Sequence, residues 1–273
     1  LAFRAPPTQG HHMTVRKKIP IRSEMGWSTS DRIGVRGFDL VSDLIGQVSL
    51  GDVAWLELMG TLPSRAQSAL FNAMMVTMVE HGMTPNAIAA RMTYLGAPES
   101  LNAAVAAGLC GLGTVFAGTA EGAARLLQEA LAEGGAEADV PAAAARIVAE
   151  FRSKKLQIPG LGHPVHKPID PRTPRLFDLA REHGHFGTAC RLLEAIAVEA
   201  ERVTGKSLPV NATGAIGAIA TELEIDWRLC RGIAVMGRAI GLVGHIAEEI
   251  RNPIAREIWH RADDEAAEDV RPK

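Results

Sequence analysis

The sequence is poor in cysteine and has no obvious export signal. Its three cysteines, Cys110, Cys190 and Cys230, are far apart and form no CxxC pair. An odd count at this spacing argues against a disulfide framework and against a zinc ribbon. The first residues lack the apolar stretch of a signal peptide, and we interpret residues 1–12 as an appended tail before a native start at Met13. We therefore expect three buried thiols in a cytoplasmic protein.

The chain also lacks a strong charge bias and a long hydrophobic run. Its net charge of −2 gives no electrostatic footprint for nucleic acid or for an anionic membrane surface. The longest apolar run, residues 232–247, is short for a membrane span and carries Arg238 in its middle. We predict a buried helix there, and neither a nucleic-acid partner nor a membrane partner.

Aromatic residues make up 4 % of the chain, and β-branched runs with period-two alternation are scarce. Alanine and leucine are abundant instead, which predicts an all-α fold. One helix is expected within residues 63–82, where Ser64 and Gln67 form a capping box and Gly82 ends the helix. Further helices are predicted near residues 98–112, 119–133, 141–154, 173–183, 187–203, 212–224, 229–249 and 253–262.

The stretch PGLGHPVHKPIDPR, residues 159–172, is too rich in proline and glycine to be a regular helix or strand. It holds His163 and His166 on a stiff loop. A histidine with a fixed direction and a pKa near neutrality suits a general acid or base. Solvated histidines on a surface loop are the simplest alternative. A metal site needs a third ligand, for which Asp170 is the neighbour in sequence, and we predict no metal.

Arg238 is the second candidate, because a buried guanidinium needs an anionic partner. Glu222 or Glu248 would satisfy it within the protein. A substrate carboxylate, gripped in a bidentate manner, is the other option. His81 is the third candidate, at the end of an apolar helix, where a histidine that caps the helix C-terminus is the competing interpretation.

Asn211 and Thr213 open the segment NATGAIGAIA, residues 211–220. A helix N-cap is the plain interpretation of Asn211. The small residues that follow permit another helix to approach closely.

Four segments taken in order resemble the citrate synthase superfamily over about residues 20 to 260, most closely its citryl-CoA lyase branch, which also forms the C-terminal module of ATP citrate lyase. They are EHGMTPNAIAAR (80–91), GLGTVFAGTAEGAAR (111–125), GLGHPVHKPIDPR (160–172) and NATGAIGAIA together with GIAVMGRAIGLVGH (232–245). The third is the most specific, because it is similar to the family pattern GxGHRVYKxxDPR.

The resemblance implies a citrate synthase-like fold with a large helical domain and a smaller mobile one. On this basis we expect the large domain at residues 16–116 and 223–262 and the small domain at residues 117–222. The family also implies a homodimer or a higher homo-oligomer, with the active site between the domains.

The same resemblance implies cleavage or formation of a carbon–carbon bond in a polycarboxylate CoA thioester, with acetyl-CoA and oxaloacetate as products. Coenzyme A is then part of the substrate. His163 matches the histidine that exchanges a proton with the substrate oxygen, and His81 matches a histidine that binds the citryl moiety. Arg172 and Arg238 match carboxylate-binding arginines, and Asn211 is assigned to substrate binding.

Lysines around the histidine loop are candidates for binding the phosphates of coenzyme A. Lys167 is the first choice, with Lys154 and Lys155 beside it, because all three flank the loop.

The sequence departs from the family pattern at three positions. Phe116 stands where synthases carry a histidine, which favours a lyase, and Pro164 replaces an arginine. Thr213 replaces the catalytic aspartate, and a threonine hydroxyl does not shuttle a proton at neutral pH. Proton transfer by a positioned group contributes ~10²–10⁴-fold. Two alternatives therefore stay open: a lyase or thioester hydrolase for a different 3-hydroxyacyl-CoA, and a non-catalytic homologue that binds CoA or carboxylates.

Overall fold

The computed structural model describes residues 19–134, 139–163 and 166–270. Residues 1–12 and Pro164 lie outside the described residues. Packing divides the chain into two compact units, Leu1–Gln47 and Val48–Lys273. The predicted boundaries at 116/117 and 222/223 stay a prediction.

The first unit contains a small antiparallel sheet in the order β1 (Gly26–Ser28), β2 (Ile33–Val35), β3 (Phe38–Asp39), followed by a π-helical segment, Leu40–Leu44. The Asp39 carboxylate starts that segment by accepting hydrogen bonds from two backbone N–H groups. The sequence analysis overlooked this sheet, because strands of two or three residues are too short to show a period of two.

The second unit is helical, which confirms the all-α prediction. Its described residues form α1 (Leu50–Met59), α2 (Arg65–Val79), α3 (Pro85–Gly96), α4 (Leu101–Cys110), α5 (Gly118–Gly134), α6 (Val140–Ser153), α7 (Arg172–Glu182), α8 (Thr188–Thr204), α9 (Ala212–Glu222), α10 (Trp227–Arg251) and α11 (Ala255–Ala267). The predicted helices match these within a few residues, but α1 and α3 were overlooked. A capping box of Ser49 and Asp52 marks the start of α1 and was the missed signal.

Helix α2 begins as predicted and ends early. The capping box of Ser64 and Gln67 is present, but the helix stops at Val79, three positions before Gly82. Glu80 is extended, with φ −138° and ψ 144°. Its carboxylate accepts hydrogen bonds from the backbone N–H groups of His81, at 2.9 Å, and Gly82, at 2.5 Å. His81 therefore lies on a short turn after the helix, and the Glu80 side chain stabilises that turn.

Helix α10 lies in the core, in contact with α2, α3, α4, α5 and α9. It is long and apolar enough to cross a membrane by length and composition alone, but its packing is that of a core helix. Gly241 faces α2 so closely that a Cβ atom there would overlap the carbonyl oxygen of Val79. This contact fixes α10 against the end of α2.

The prediction of three buried thiols was wrong for one of them. Cys190 and Cys230 are buried, but Cys110 is exposed. Cys110 is the last residue of α4, where the helix no longer covers its side chain.

Candidate active site

The histidine loop is bound along its first half to the start of α9. The backbone N–H of Asn211 donates to the carbonyl of Gly160 at 2.9 Å, and the N–H of Gly162 donates to Pro209 at 2.7 Å. Gly160 has φ +87°, and a Cβ at Gly214 would overlap its carbonyl oxygen. Both positions need glycine, because the loop and α9 touch backbone to backbone.

The second half of the loop is fixed by Asp170, which is fully buried. Its carboxylate accepts hydrogen bonds from Arg172, at 3.0 Å from Nε and 2.9 Å from Nη2, and from the backbone N–H of Ala212 at 2.9 Å. Burial alone would raise the pKa of Asp170, but the hydrogen bonds from Arg172 and Ala212 outweigh it and lower the pKa to about 2. Asp170 therefore stays ionised and anchors Arg172 beside α9.

Three imidazoles meet at the end of this loop. Ring centroids lie 5.8 Å apart for His81 and His163, 5.8 Å for His81 and His166, and 4.4 Å for His163 and His166. One nitrogen from each histidine lies within 4.8 Å of those of the other two. The sequence analysis took Asp170 as the neighbouring third ligand, but that carboxylate is bound to Arg172. The third nitrogen comes from His81, distant in sequence.

The surroundings favour the neutral forms of His81 and His163. Burial lowers the pKa of His81, and the charges of Arg172, His166 and Arg238 lower it further. Burial also lowers the pKa of His163, with His166 as the next cause. Nδ1 of His163 accepts a hydrogen bond from the backbone N–H of His166 at 3.0 Å. In the neutral ring the proton must then sit on Nε2, which makes Nε2–H a donor.

Both predicted protein partners of Arg238 are engaged elsewhere. The Glu222 carboxylate accepts hydrogen bonds from two backbone N–H groups at the start of α8, and Glu248 pairs with Arg91. Arg238 is 7 % exposed, and within the described part of the chain its Nε and Nη1 atoms have no hydrogen-bond partner. Glu80 interacts with it only through charge. A guanidinium held in this way is ready to bind a carboxylate.

All six predicted catalytic and substrate-binding residues line one cavity of about 750 Å³, called here the histidine cavity. They are His81, His163, Arg172, Asn211, Thr213 and Arg238. The structure thus brings together side chains from four regions of the sequence, although their individual roles stay predictions.

Asn211 and Thr213 are bonded to each other. Asn211 caps α9, because its Oδ1 accepts from the N–H of Gly214 at 2.9 Å, which confirms the N-cap interpretation. The same oxygen accepts from the hydroxyl of Thr213 at 2.7 Å, and its Nδ2 donates to the carbonyl of Gly162 at 2.6 Å. The Thr213 hydroxyl therefore donates its proton to Asn211, and its oxygen can only accept a further hydrogen bond.

Asn86, at the start of α3, is a lining residue that the sequence analysis missed. It is 2 % exposed, and its Oδ1 accepts from the Thr84 hydroxyl at 2.5 Å. Its Nδ2 has no partner among the described residues, although it lines the histidine cavity. A buried amide that leaves a donor unpaired costs about 1–3 kcal/mol, so a ligand atom there would be stabilising.

A second cavity, of about 970 Å³ and called here the basic cleft, adjoins the first. Both are lined by residues 157, 158, 161 and 162 and by His163. Its basic residues are Arg152, Lys155, Lys167 and Lys206. Its apolar lining includes Phe151, Leu156, Ile158, Leu161 and Leu208.

Lys167 and Lys155 lie in this cleft, whereas the Lys154 amine is paired with Glu150 at 2.6 Å. Arg152 and Lys206 were missed, because each is an ordinary basic residue until folding places it beside the loop.

The second unit is helical, and its histidine cavity gathers imidazole and guanidinium side chains, groups that suit acid–base chemistry on an anionic ligand. The chain matches the family "Citrate synthase, C-terminal domain" over residues 53–260, and it belongs to that family.

The solved structure of citryl-CoA lyase from Hydrogenobacter thermophilus is 38 % identical, with a TM-score of 0.77, and the match covers 85 % of this chain and 88 % of that one. An ATP citrate lyase from Methanothrix soehngenii, solved with citrate and coenzyme A, shares the fold at 23 % identity and a TM-score of 0.72 over 87 % of this chain and 40 % of that one. The "Probable ATP-citrate synthase" of Dictyostelium discoideum is 27 % identical over 92 % of this chain and 41 % of its own length. The chain thus spans less than half of that curated relative.

Proposed function

We propose that the chain is a citryl-CoA lyase-like enzyme, which cleaves or forms a carbon–carbon bond in a polycarboxylate CoA thioester to give acetyl-CoA and oxaloacetate. One observation carries the proposal. Arg238 is buried beside His81 and His163, and within the described residues its Nε and Nη1 atoms have no hydrogen-bond partner, in a cavity that adjoins a cleft with four basic side chains.

Each of the two cavities would bind a different part of the substrate. Arg238 would hold a free carboxylate in the histidine cavity, and Arg172 would hold another through the part of its guanidinium that does not bind Asp170. Arg152, Lys155, Lys167 and Lys206 would hold the phosphates of coenzyme A in the basic cleft. His163 lines both cavities, so the thioester end of the acyl chain would meet it at the junction.

In the cleavage direction, the bond between the carbinol carbon and the thioester CH₂ group breaks. The carbinol loses its hydroxyl proton and becomes the ketone of oxaloacetate, while the electron pair forms the thioester enolate. A proton on that carbon completes acetyl-CoA. Nε2–H of His163 would stabilise the negative charge that develops on the carbinol oxygen as its proton leaves. Among the described lining residues, His81 and His163 carry imidazole side chains, and they would share the proton exchange.

Incubation of the purified chain with citryl-CoA tests this proposal. Equal amounts of acetyl-CoA and oxaloacetate support a lyase. Free citrate with CoA would indicate a thioester hydrolase. Tight binding without products, seen as thermal stabilisation, would indicate another 3-hydroxyacyl-CoA or a binding role. Thr213 in place of the family aspartate is the observation that favours these alternatives.

His163→Ala provides the decisive variant. We expect turnover to vanish while the circular dichroism spectrum and melting temperature are kept. His185→Ala is the matched control, because His185 lies outside both cavities. Turnover by folded His163→Ala would contradict the catalytic role of His163.

We also propose that the chain forms a homodimer or a higher homo-oligomer in the cytoplasm. Several large apolar side chains of α2 and α10 are exposed, namely Val76, Ile240, Val243 and Ile250. An apolar surface of this kind is typical of subunit interfaces. Light scattering on the eluting protein would test it, and a monomer at micromolar concentration would contradict it.

A further inference from the structure

The three histidines at the end of the loop also have the donor set of a transition-metal site. We propose that His81, His163 and His166 bind a d-block divalent cation such as Zn²⁺, and that occupancy of this site blocks the reaction. The binding part stands on the geometry alone, whereas the inhibition rests on the proposed lyase function.

The nitrogen atoms are near enough for one ion. One nitrogen from each of the three histidines lies within 4.8 Å of those of the others. In a tetrahedral zinc site with Zn–N bonds of about 2.0–2.1 Å, ligand nitrogens lie about 3.3 Å apart. Ring rotations that move each nitrogen by about 1 Å would close the set, and His81 is exposed enough to make them.

The ring nitrogen that carries no proton is the metal ligand in each neutral imidazole. In His163 that nitrogen is Nδ1, which accepts a hydrogen bond from the backbone N–H of His166 at 3.0 Å, so metal binding would replace this hydrogen bond or move the ring proton from Nε2 to Nδ1. A ligand set of three imidazoles suits Zn²⁺, Ni²⁺ or Cu²⁺ and is unsuited to Mg²⁺ or Ca²⁺, which prefer oxygen ligands.

Carboxylates offset part of the positive charge of the two arginines in the cavity. Arg172 is paired directly with Asp170, and Arg238 interacts through charge with Glu80. A fourth metal ligand would come from water or from a carboxylate at Arg238. A metal bound to His163 would occupy the imidazole that the proposed reaction uses, so inhibition follows from the shared ligand.

Isothermal titration of the full chain with ZnCl₂ tests the site directly. The background should carry His11→Ala and His12→Ala, because adjacent histidines bind such ions themselves. We expect one ion per chain, with a Kd in the micromolar range or below, and no binding of MgCl₂.

His166→Gln and His81→Gln should each weaken zinc binding by more than about tenfold, because even outer-shell changes cost about 10–100-fold in metal affinity. His183→Gln is the matched control and should bind as before, because His183 lies at the end of α7, away from the cluster. Zinc binding of unchanged affinity in folded His166→Gln, or a chain that binds no zinc, would overturn the site.

Inhibition is measured in a separate assay. Zn²⁺ should abolish citryl-CoA cleavage, and a chelator should restore the cleavage activity. Zinc binding in a chain without lyase activity would leave the metal site standing and remove the proposed function. Full activity in a zinc-loaded chain would overturn the inhibitory role.

Discussion

His245 accepts hydrogen bonds from Arg91 through Nδ1, at 3.2 Å from Nε and 3.0 Å from Nη2 of the guanidinium. A guanidinium is only a donor, so the proton of the neutral ring sits on Nε2, which lies 3.2 Å from Oε1 of Glu80. Glu80 in turn holds the backbone N–H of His81. Arg91 is fully buried and is also paired with Glu249 at 2.7 Å. A buried charge network thus fixes the turn that carries His81.

We expect His245→Phe to weaken substrate binding, because it removes both ring nitrogens and leaves Glu80 without its side-chain hydrogen bond. If His81 binds the citryl group, KM for citryl-CoA should rise about tenfold, which corresponds to about 1.4 kcal/mol, with a smaller change in kcat. Steady-state kinetics measure both. Glu248→Gln is the control, because Arg91 keeps Glu249. Equal kinetics in His245→Phe and wild type would show that the network is only structural.

Gly241 and Gly244 provide a matched pair on α10. A Cβ at position 241 overlaps the Val79 carbonyl, whereas one at 244 meets nothing within 4 Å. Gly241→Ala should lower the free energy of unfolding by about 1–3 kcal/mol, as overpacking does. Gly244→Ala should raise it by up to about 1 kcal/mol, because alanine is the better helix former. Urea unfolding compares them, and equal stability would refute the close packing of α10 on α2.

Asn86→Leu separates a ligand contact from a structural one. Leucine removes the unpaired Nδ2 donor, which favours stability, but it also removes the Oδ1 that accepts from the Thr84 hydroxyl. We therefore expect only a small change in melting temperature together with a higher KM for citryl-CoA, because the variant lacks the Nδ2 donor in the cavity. Thr84→Val is the control, since it removes the neighbouring hydroxyl and keeps the amide. Unchanged KM in Asn86→Leu would exclude a substrate contact.

The sequence was most informative where the signal is local. The capping box of Ser64 and Gln67 and the alanine-rich helices could be predicted, because caps and apolar periodicity act within one or two turns. The resemblance in the histidine loop led to His163 and Arg172. By contrast, the pairing of Arg91 with Glu249 and the position of Lys206 in the basic cleft depend on contacts between distant segments, which the sequence does not reveal.

Arg238 is a residue for which the sequence predicted the need for a partner but not the partner itself. Its need for an anion was evident from an apolar helix, but the choice between Glu222, Glu248 and a substrate was not. The structure places both glutamates with other partners, because Glu222 caps α8 and Glu248 pairs with Arg91, and binding of a substrate carboxylate by Arg238 stays a prediction. The three-histidine cluster was hidden in the same way, since His81 comes from the end of another helix.

Thr213→Asp restores the carboxylate that the family carries at this position. Thr213 is the second residue of α9, where a negative charge is favourable, so we expect the variant to fold. If the histidine cavity holds citryl-CoA, kcat for its cleavage should rise, by up to about 10²-fold for a positioned acid–base group. Thr213→Asn is the control of similar size without the charge. No gain in Thr213→Asp would point to a different 3-hydroxyacyl-CoA as substrate.

The pH dependence should follow the lowered pKa values of His81 and His163. Burial favours the neutral rings in the folded chain. As the pH falls through the ordinary histidine pKa of about 6.5, kcat/KM should therefore stay constant, and it should decline only when the pH reaches the lower pKa values of the folded chain.

The free energy of unfolding should also fall as the pH is lowered. The unfolded chain binds protons on these histidines first, so their contribution to folding is complete above about pH 6.5 and is lost as the pH falls towards the folded pKa values. His163→Gln should therefore flatten the loss of melting temperature between pH 7 and pH 5, and His183→Gln serves as its control. An acid limb of kcat/KM centred above pH 6.5 would mean that the working histidine gains a proton more readily in the cavity than in water, against the burial that the structure shows.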